Sequence, residues 1–125
     1  MFTDTATFSS FAVDDLAAAR AFYGETLGLR TTVLDEENLI ALDVAGDRRI
    51  VVYRKPDFRP ATYTILNFEV PDVEAAVDEL AARGVTMERY EGFDQDDKGI
   101  SRGRGPDIAW FRDPAGNVLA VLSPS

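Results

Sequence analysis

The sequence predicts an α+β fold built from two tandem βαβββ modules, and three observations carry that prediction. The first is an internal repeat: "VDDLAAARAFYGETLGL" at 13–29 lines up with "VPDVEAAVDELAARGV" at 70–85, setting Val13 against Val70, Asp15 against Asp72, Ala18 against Ala75 and Ala19 against Ala76. The second is a shared order of signals. In each copy an alternating strand (7–13 and 62–70) meets an aspartate suited to cap a helix, and a short amphipathic helix then ends near Gly28 or Gly84, which lie one residue out of register. The third is a set of three strand-like runs after each helix, "RTTVLDE", "NLIALDV" and "RRIVVYR" in the first copy, and "VTMERYE", "PDIAWFR" and "NVLAVLS" in the second.

Taken in order, the first helix is expected to bury Leu16, Ala19, Phe22 or Tyr23, and Leu27. The second shows its buried stripe at Val73, Ala76, Val77 and Leu80, with Glu74, Asp78, Glu79 and Arg83 facing water. Between the copies, "KPDFRPA" carries two prolines that interrupt a ladder and disfavour helix before them. A single domain over 1–125 is therefore expected, with repeat one at about 5–55, a linker at about 56–61 and repeat two at about 62–123. One helix per module cannot cover both faces of a four-stranded sheet, so each module must share a core or bury a face against a second subunit. At the close, "DPAGN" suits a hairpin: Asp113 and Pro114 fit the first positions of a type I turn, Gly116 supplies positive φ, and Asn117 begins the return strand.

Composition bounds the function. A chain of 125 residues with 13 basic and 22 acidic side chains has a net charge of −9, a field that repels phosphate backbones and anionic lipid. Nucleic acid and membrane are not expected partners. No apolar run approaches the roughly 20 residues of a membrane span, and the N-terminus lacks the basic start and apolar core of a secretory signal, so a cytoplasmic location is expected. With no cysteine and no histidine there is no disulfide, thiolate or imidazole chemistry, and no imidazole to titrate near neutrality. No nucleophile, phosphate-loop or dinucleotide motif appears.

The segment "EGFDQDDKGISRGRG" at 91–105 has no period and four glycines. A loop of this length in a compact fold is more often a lid or binding loop than idle, and Phe93 and Ile100 suggest that it packs onto something. Arg102 and Arg104, near Lys98, read either as a solvated stretch or as an anchor for an anionic group on a small ligand.

The repeat, the strand closing in "VDDLAAARAFYGETLGL", the second opening "ILNFEVPDVEAAVDELAARGV" and the ending "WFRDPAGNVLAVL" together resemble the vicinal oxygen chelate superfamily, which includes glyoxalase I, extradiol dioxygenases and bleomycin-resistance proteins. The resemblance implies an incompletely closed eight-stranded barrel with flanking helices, a concave ligand cavity and a homodimer. It also implies where a divalent cation would sit in the metal-dependent members, and there this chain departs from the pattern. Phe8 and Ile65 stand where a histidine is usual, Ala120 stands where a glutamate is usual, and the strand at 48–53 offers no His, Glu, Gln or Asp.

The expectation is therefore a metal-free protein of the bleomycin-resistance type, without cofactor, that binds and sequesters a small organic molecule such as a drug or natural product. Phe8, Ile65 and Ala120 give an apolar floor, Ser10 and Asn67 lie on the same faces and offer polar contacts, Tyr63 shares the inward alternation, and Trp110 can stack on a planar ligand. Arg102 and Arg104 complete the ligand-binding set. The rival expectation is a lyase, isomerase or dioxygenase of the same fold that uses a metal or an unrecognised site, with Glu69 the one carboxylate placed to face the cavity.

Overall fold

A computed structural model describes residues 1–103 and 105–124; Arg104 lies outside them. The chain separates into two compact units, Met1–Arg59 and Pro60–Ser125, each containing one copy of the repeat.

In the first unit, β1 (Ser9–Val13) leads through Asp15 into α1 (Leu16–Ala21), and β2 (Arg30–Asp35), β3 (Leu39–Val44) and β4 (Arg48–Arg54) complete a sheet of order β1-β4-β3-β2. Asp15 caps the helix as its position predicts, its carboxylate accepting from the Ala18 N–H at 3.0 Å. Leu16 and Ala19 are buried on one side. The helix then widens into a π-helical turn, Phe22–Thr26, closed by a bond from the Leu27 N–H to the Phe22 carbonyl. That extra residue per turn carries Tyr23, which is fully buried, onto the helix side of the sheet against Phe11, ring centroids 5.6 Å apart. Phe22 and Leu27 are only half-buried.

The second unit repeats the plan with β5 (Thr64–Glu69), α2 (Val73–Ala82), β6 (Ile108–Arg112) and β7 (Val118–Leu122), in the order β5-β7-β6. Asp72 caps α2 through the Ala75 N–H at 3.1 Å, and Val73, Val77 and Leu80 are buried against β6 and β7. Ala76, expected with them, is half-buried.

One expectation needs correction. The described residues hold seven strands, in two separate sheets, where eight were expected. The missing strand is "VTMERYE", which keeps a single bridge between Met87 and Phe111. The reason is local: the Gln95 side-chain amide accepts from the Tyr90 N–H at 2.8 Å and donates to the Glu88 carbonyl at 3.0 Å, taking backbone groups that a longer ladder would use.

The closing hairpin follows its turn chemistry. The Gly116 N–H bonds the Asp113 carbonyl at 3.0 Å, and Gly116 adopts φ 93°. The buried Asp113 carboxylate also accepts from the N–H groups of Ala115 and Asn117, at 3.0 and 2.8 Å, and from the Asn117 amide at 3.1 Å. Asp113→Ala removes the acceptor these donors share in a buried turn, so stability in urea is expected to fall by about 3 kcal/mol. Asp94→Ala, on the exposed loop, is expected to change it by less than about 0.5 kcal/mol.

Candidate functional site

The register of the second sheet brings Asn67, Ala120 and Trp110 side by side across β5, β7 and β6, with Glu69, Leu122 and Ile108 forming the next rung. Alternation puts these residues on one face and Phe111, Leu119, Ala109 and Val121 on the other. Trp110, Val118 and Ala120 form a buried apolar cluster with Tyr90 and Ile108 packed against it. Ala120 is fully buried beneath them.

Aromatic rings build up from that floor. Tyr90 meets Trp110 edge-on at 5.5 Å, and Phe93 meets it at 5.1 Å, both in the inclined geometry that aromatic pairs favour. Phe93 is 49% exposed, so its outer face remains open to solvent. The Tyr90 hydroxyl is buried beside the Arg112 guanidinium, a donor, and among the described residues its own O–H finds no acceptor. Burial pushes its pKa up against the opposing effect of Arg112, so at neutral pH it is a protonated donor.

The 91–103 segment is held in place. Ile100 is buried, Arg89 donates to the carbonyls of Asp96 and Asp97, and Lys98 pairs with Asp78 at 2.9 Å. Arg102 reaches Glu74 at 3.1 Å, Asp96 at 3.3 Å and Asp107 at 3.0 Å. Its guanidinium thus fixes the loop to α2 and to the start of β6, and it does not stand free for an anionic ligand. Each such exposed pair is worth little alone, and the network orders the loop that carries Phe93.

The other expected residues lie differently. Asn67 is exposed on the face with Trp110, whereas Ile65 sits at a register shift between Thr64 and Leu66 that breaks the simple alternation towards Tyr63. Tyr63 and Phe8 precede their strands and are 70% and 72% exposed, so neither contributes to an enclosed floor within its unit. Ser10, also exposed, lies beside Val51, Ala41 and Thr32 across the first sheet. On that face Asp43 accepts from Thr32 and Arg49, at 2.9 Å each, which holds its carboxyl below the usual range. Gln95 was not legible as a site residue: one polar side chain in an aperiodic loop carries no pattern.

The positions that would hold a cation in metal-dependent relatives present hydrocarbon at Phe8, Ile65 and Ala120, with no donor atom. Among the described residues no group of three acidic side chains is arranged to hold a metal ion. This donor set does not fit a divalent cation.

Residues 6–121 match the family model described as Glyoxalase/Bleomycin resistance protein/Dioxygenase superfamily. A comparison with curated protein sequences finds no match. Solved structures share the fold: TnmS3, an antibiotic binding protein from Streptomyces sp. CB03234, is 24% identical, with a TM-score of 0.73 over 98% of this chain and 99% of that one. The fosfomycin resistance protein FosX from Listeria monocytogenes is 14% identical, with a TM-score of 0.72 over 98% and 94% of the two chains. Lactoylglutathione lyase from Agrobacterium tumefaciens is 23% identical, with a TM-score of 0.67 over 97% and 94%.

The loop carries a pH dependence of defined sign. Burial opposes ionisation of Asp96, but N–H bonds from Ile100 and Lys98 and the Arg102 guanidinium outweigh it and hold its carboxyl below the usual range. A depressed folded-state pKa stabilises the loop fully above the ordinary aspartate value of about 3.9, and that contribution disappears as pH falls through the lowered value. Trp110 fluorescence, which senses the Phe93 contact, is expected to change below about pH 4 before global unfolding. In Asp96→Asn that early acid step should be absent.

Proposed function

The chain belongs to the Glyoxalase/Bleomycin resistance protein/Dioxygenase superfamily, and from that premise we propose that it binds a small organic molecule without a metal and sequesters it unchanged. The observation that carries this reading is the row Asn67, Ala120, Trp110, where an alanine floor and three aromatic rings stand in place of a metal centre. Such a surface gains affinity by removing apolar area from water, at about 25 cal/mol per Å². The exposed face of Phe93, seated on the buried Trp110, suits a planar ring, and Asn67 orients a polar substituent.

The Tyr90 hydroxyl sharpens the reading. A buried donor without an acceptor costs about 1–3 kcal/mol, and a ligand carbonyl or ether oxygen relieves that cost on binding. The acidic field of the protein favours ligands that also carry a positive charge. The same reading makes the ligand a drug or natural product, in line with the antibiotic-binding relative, and the working form a cytoplasmic homodimer.

The test is titration of the purified protein with cationic planar aromatic compounds, followed by the fluorescence of its one tryptophan. Saturable quenching is expected in the presence of a chelator, with the compound recovered chemically intact. A product of altered mass, or binding that vanishes on chelation, would overturn the proposal. Tyr90→Phe is expected to leave the free protein as stable as before or slightly more so, while weakening binding of an acceptor-bearing ligand about tenfold, consistent with roughly 1 to 1.5 kcal/mol for one hydrogen bond.

A further inference from the structure

A groove of about 640 Å³ in the first unit lies between α1 and β2, with Ala17 and Ala21 on one wall, Thr31 and Val33 on the other, and Ile40 in its floor. It is on the helix side of the sheet, because the alternation that places Thr32 beside Ser10 turns Thr31 the other way. It is therefore a different surface from the one proposed above to take the small molecule.

The internal repeat shows what this fold places in such a groove. Aligning Asp15 with Asp72 sets Ala17 against Glu74 and Ala21 against Asp78, and aligning Gly28 with Gly84 sets Thr31 against Met87. In the second unit the chain's own loop touches all three counterparts. Arg102 bonds Glu74 at 3.1 Å and Lys98 bonds Asp78 at 2.9 Å. Gly99 lies so close to Met87 that a Cβ there would come within 3.2 Å of the Met87 Cβ, and Ile100 is 1% exposed. An irregular segment with one aliphatic anchor between two cations thus fills the position. The first unit has no counterpart, because β2 and β3 are joined by residues 36–38 alone.

The charges around the open groove also lack partners. Among the described residues, Arg20, Glu25 and Glu36, which line it, have neither an ion pair nor a side-chain hydrogen bond. We propose that this groove docks a segment of a partner protein that inserts an aliphatic side chain over Ile40, with a basic residue beside it for Glu25 and Glu36 and an acidic one for Arg20. The segment would do in the first unit what residues 96–102 do in the second.

The probe is the chain's own loop as a free peptide, residues 95–103, added to the full-length ¹⁵N-labelled protein. Saturable amide shifts are expected at Ala17, Ala21, Thr31 and their neighbours, with an affinity on the order of millimolar for so short a segment. The Ile100→Ser peptide is expected to bind at least about fivefold more weakly, equivalent to about 1 kcal/mol for the lost aliphatic burial. On the protein side, Ala21→Trp fills the groove from an exposed helix position and is expected to abolish the shifts, with the unperturbed amides of the second unit reporting that the chain is folded. Absence of saturable shifts at the groove would overturn the proposal, as would equal binding of the Ile100→Ser peptide. Concentration-dependent shifts at the same amides without peptide would assign the groove to a second copy of the chain and also overturn it.

Discussion

The turn at 113–117 is the constraint on which the candidate site rests. In an antiparallel pair a slip of one residue moves every side chain to the opposite face, so Trp110 can lie beside Ala120 only while the hairpin holds its register. The Asp113 carboxylate fixes that register from inside the protein by gathering the N–H groups of Ala115 and Asn117 and the Asn117 amide. Parallel pairing of β7 with β5 then carries the alignment on to Asn67. One buried carboxylate in a loop thus decides which residues share the face opposite α2.

The second determinant is the 91–103 loop, where electrostatics and packing act together. Gln95 ends the would-be strand by taking its backbone groups, and the chain then crosses α2 under Lys98 and Arg102. This leaves Phe93 on Trp110. Lys98 and Arg102 therefore serve the architecture on the α2 side, while the Trp110 face carries, beside its aromatic, apolar and amide surface, the Glu69 carboxylate and Arg112, which is paired with Glu88. An apolar floor together with an aromatic wall is an arrangement suited to holding an organic molecule.

Much of this was legible in the sequence because it is local. The capping aspartates, the helix stripes, the closing turn and the repeat depend on residues a few positions apart, and Asn67, Ala120 and Trp110 follow from alternation along three strands. What escaped was set by contacts distant in sequence or by single-residue irregularities. Arg102 read as free because its partners Glu74 and Asp107 belong to other elements. Tyr63 read as inward because no residue pattern marks the register shift at Ile65. The eighth strand was lost to Gln95, and the helix-side groove of the first unit emerges only when the two repeats are compared as structures.

The central claim is that this chain holds an organic ligand where metal-dependent relatives hold a cation. Its most direct test is native mass spectrometry with elemental analysis, performed on protein purified from metal-supplemented medium and then exposed to a ligand found by titration. The account predicts a negligible metal content and a complex whose mass is that of the protein plus the intact ligand. One tightly held divalent cation per chain, required for the ligand to bind, would contradict it.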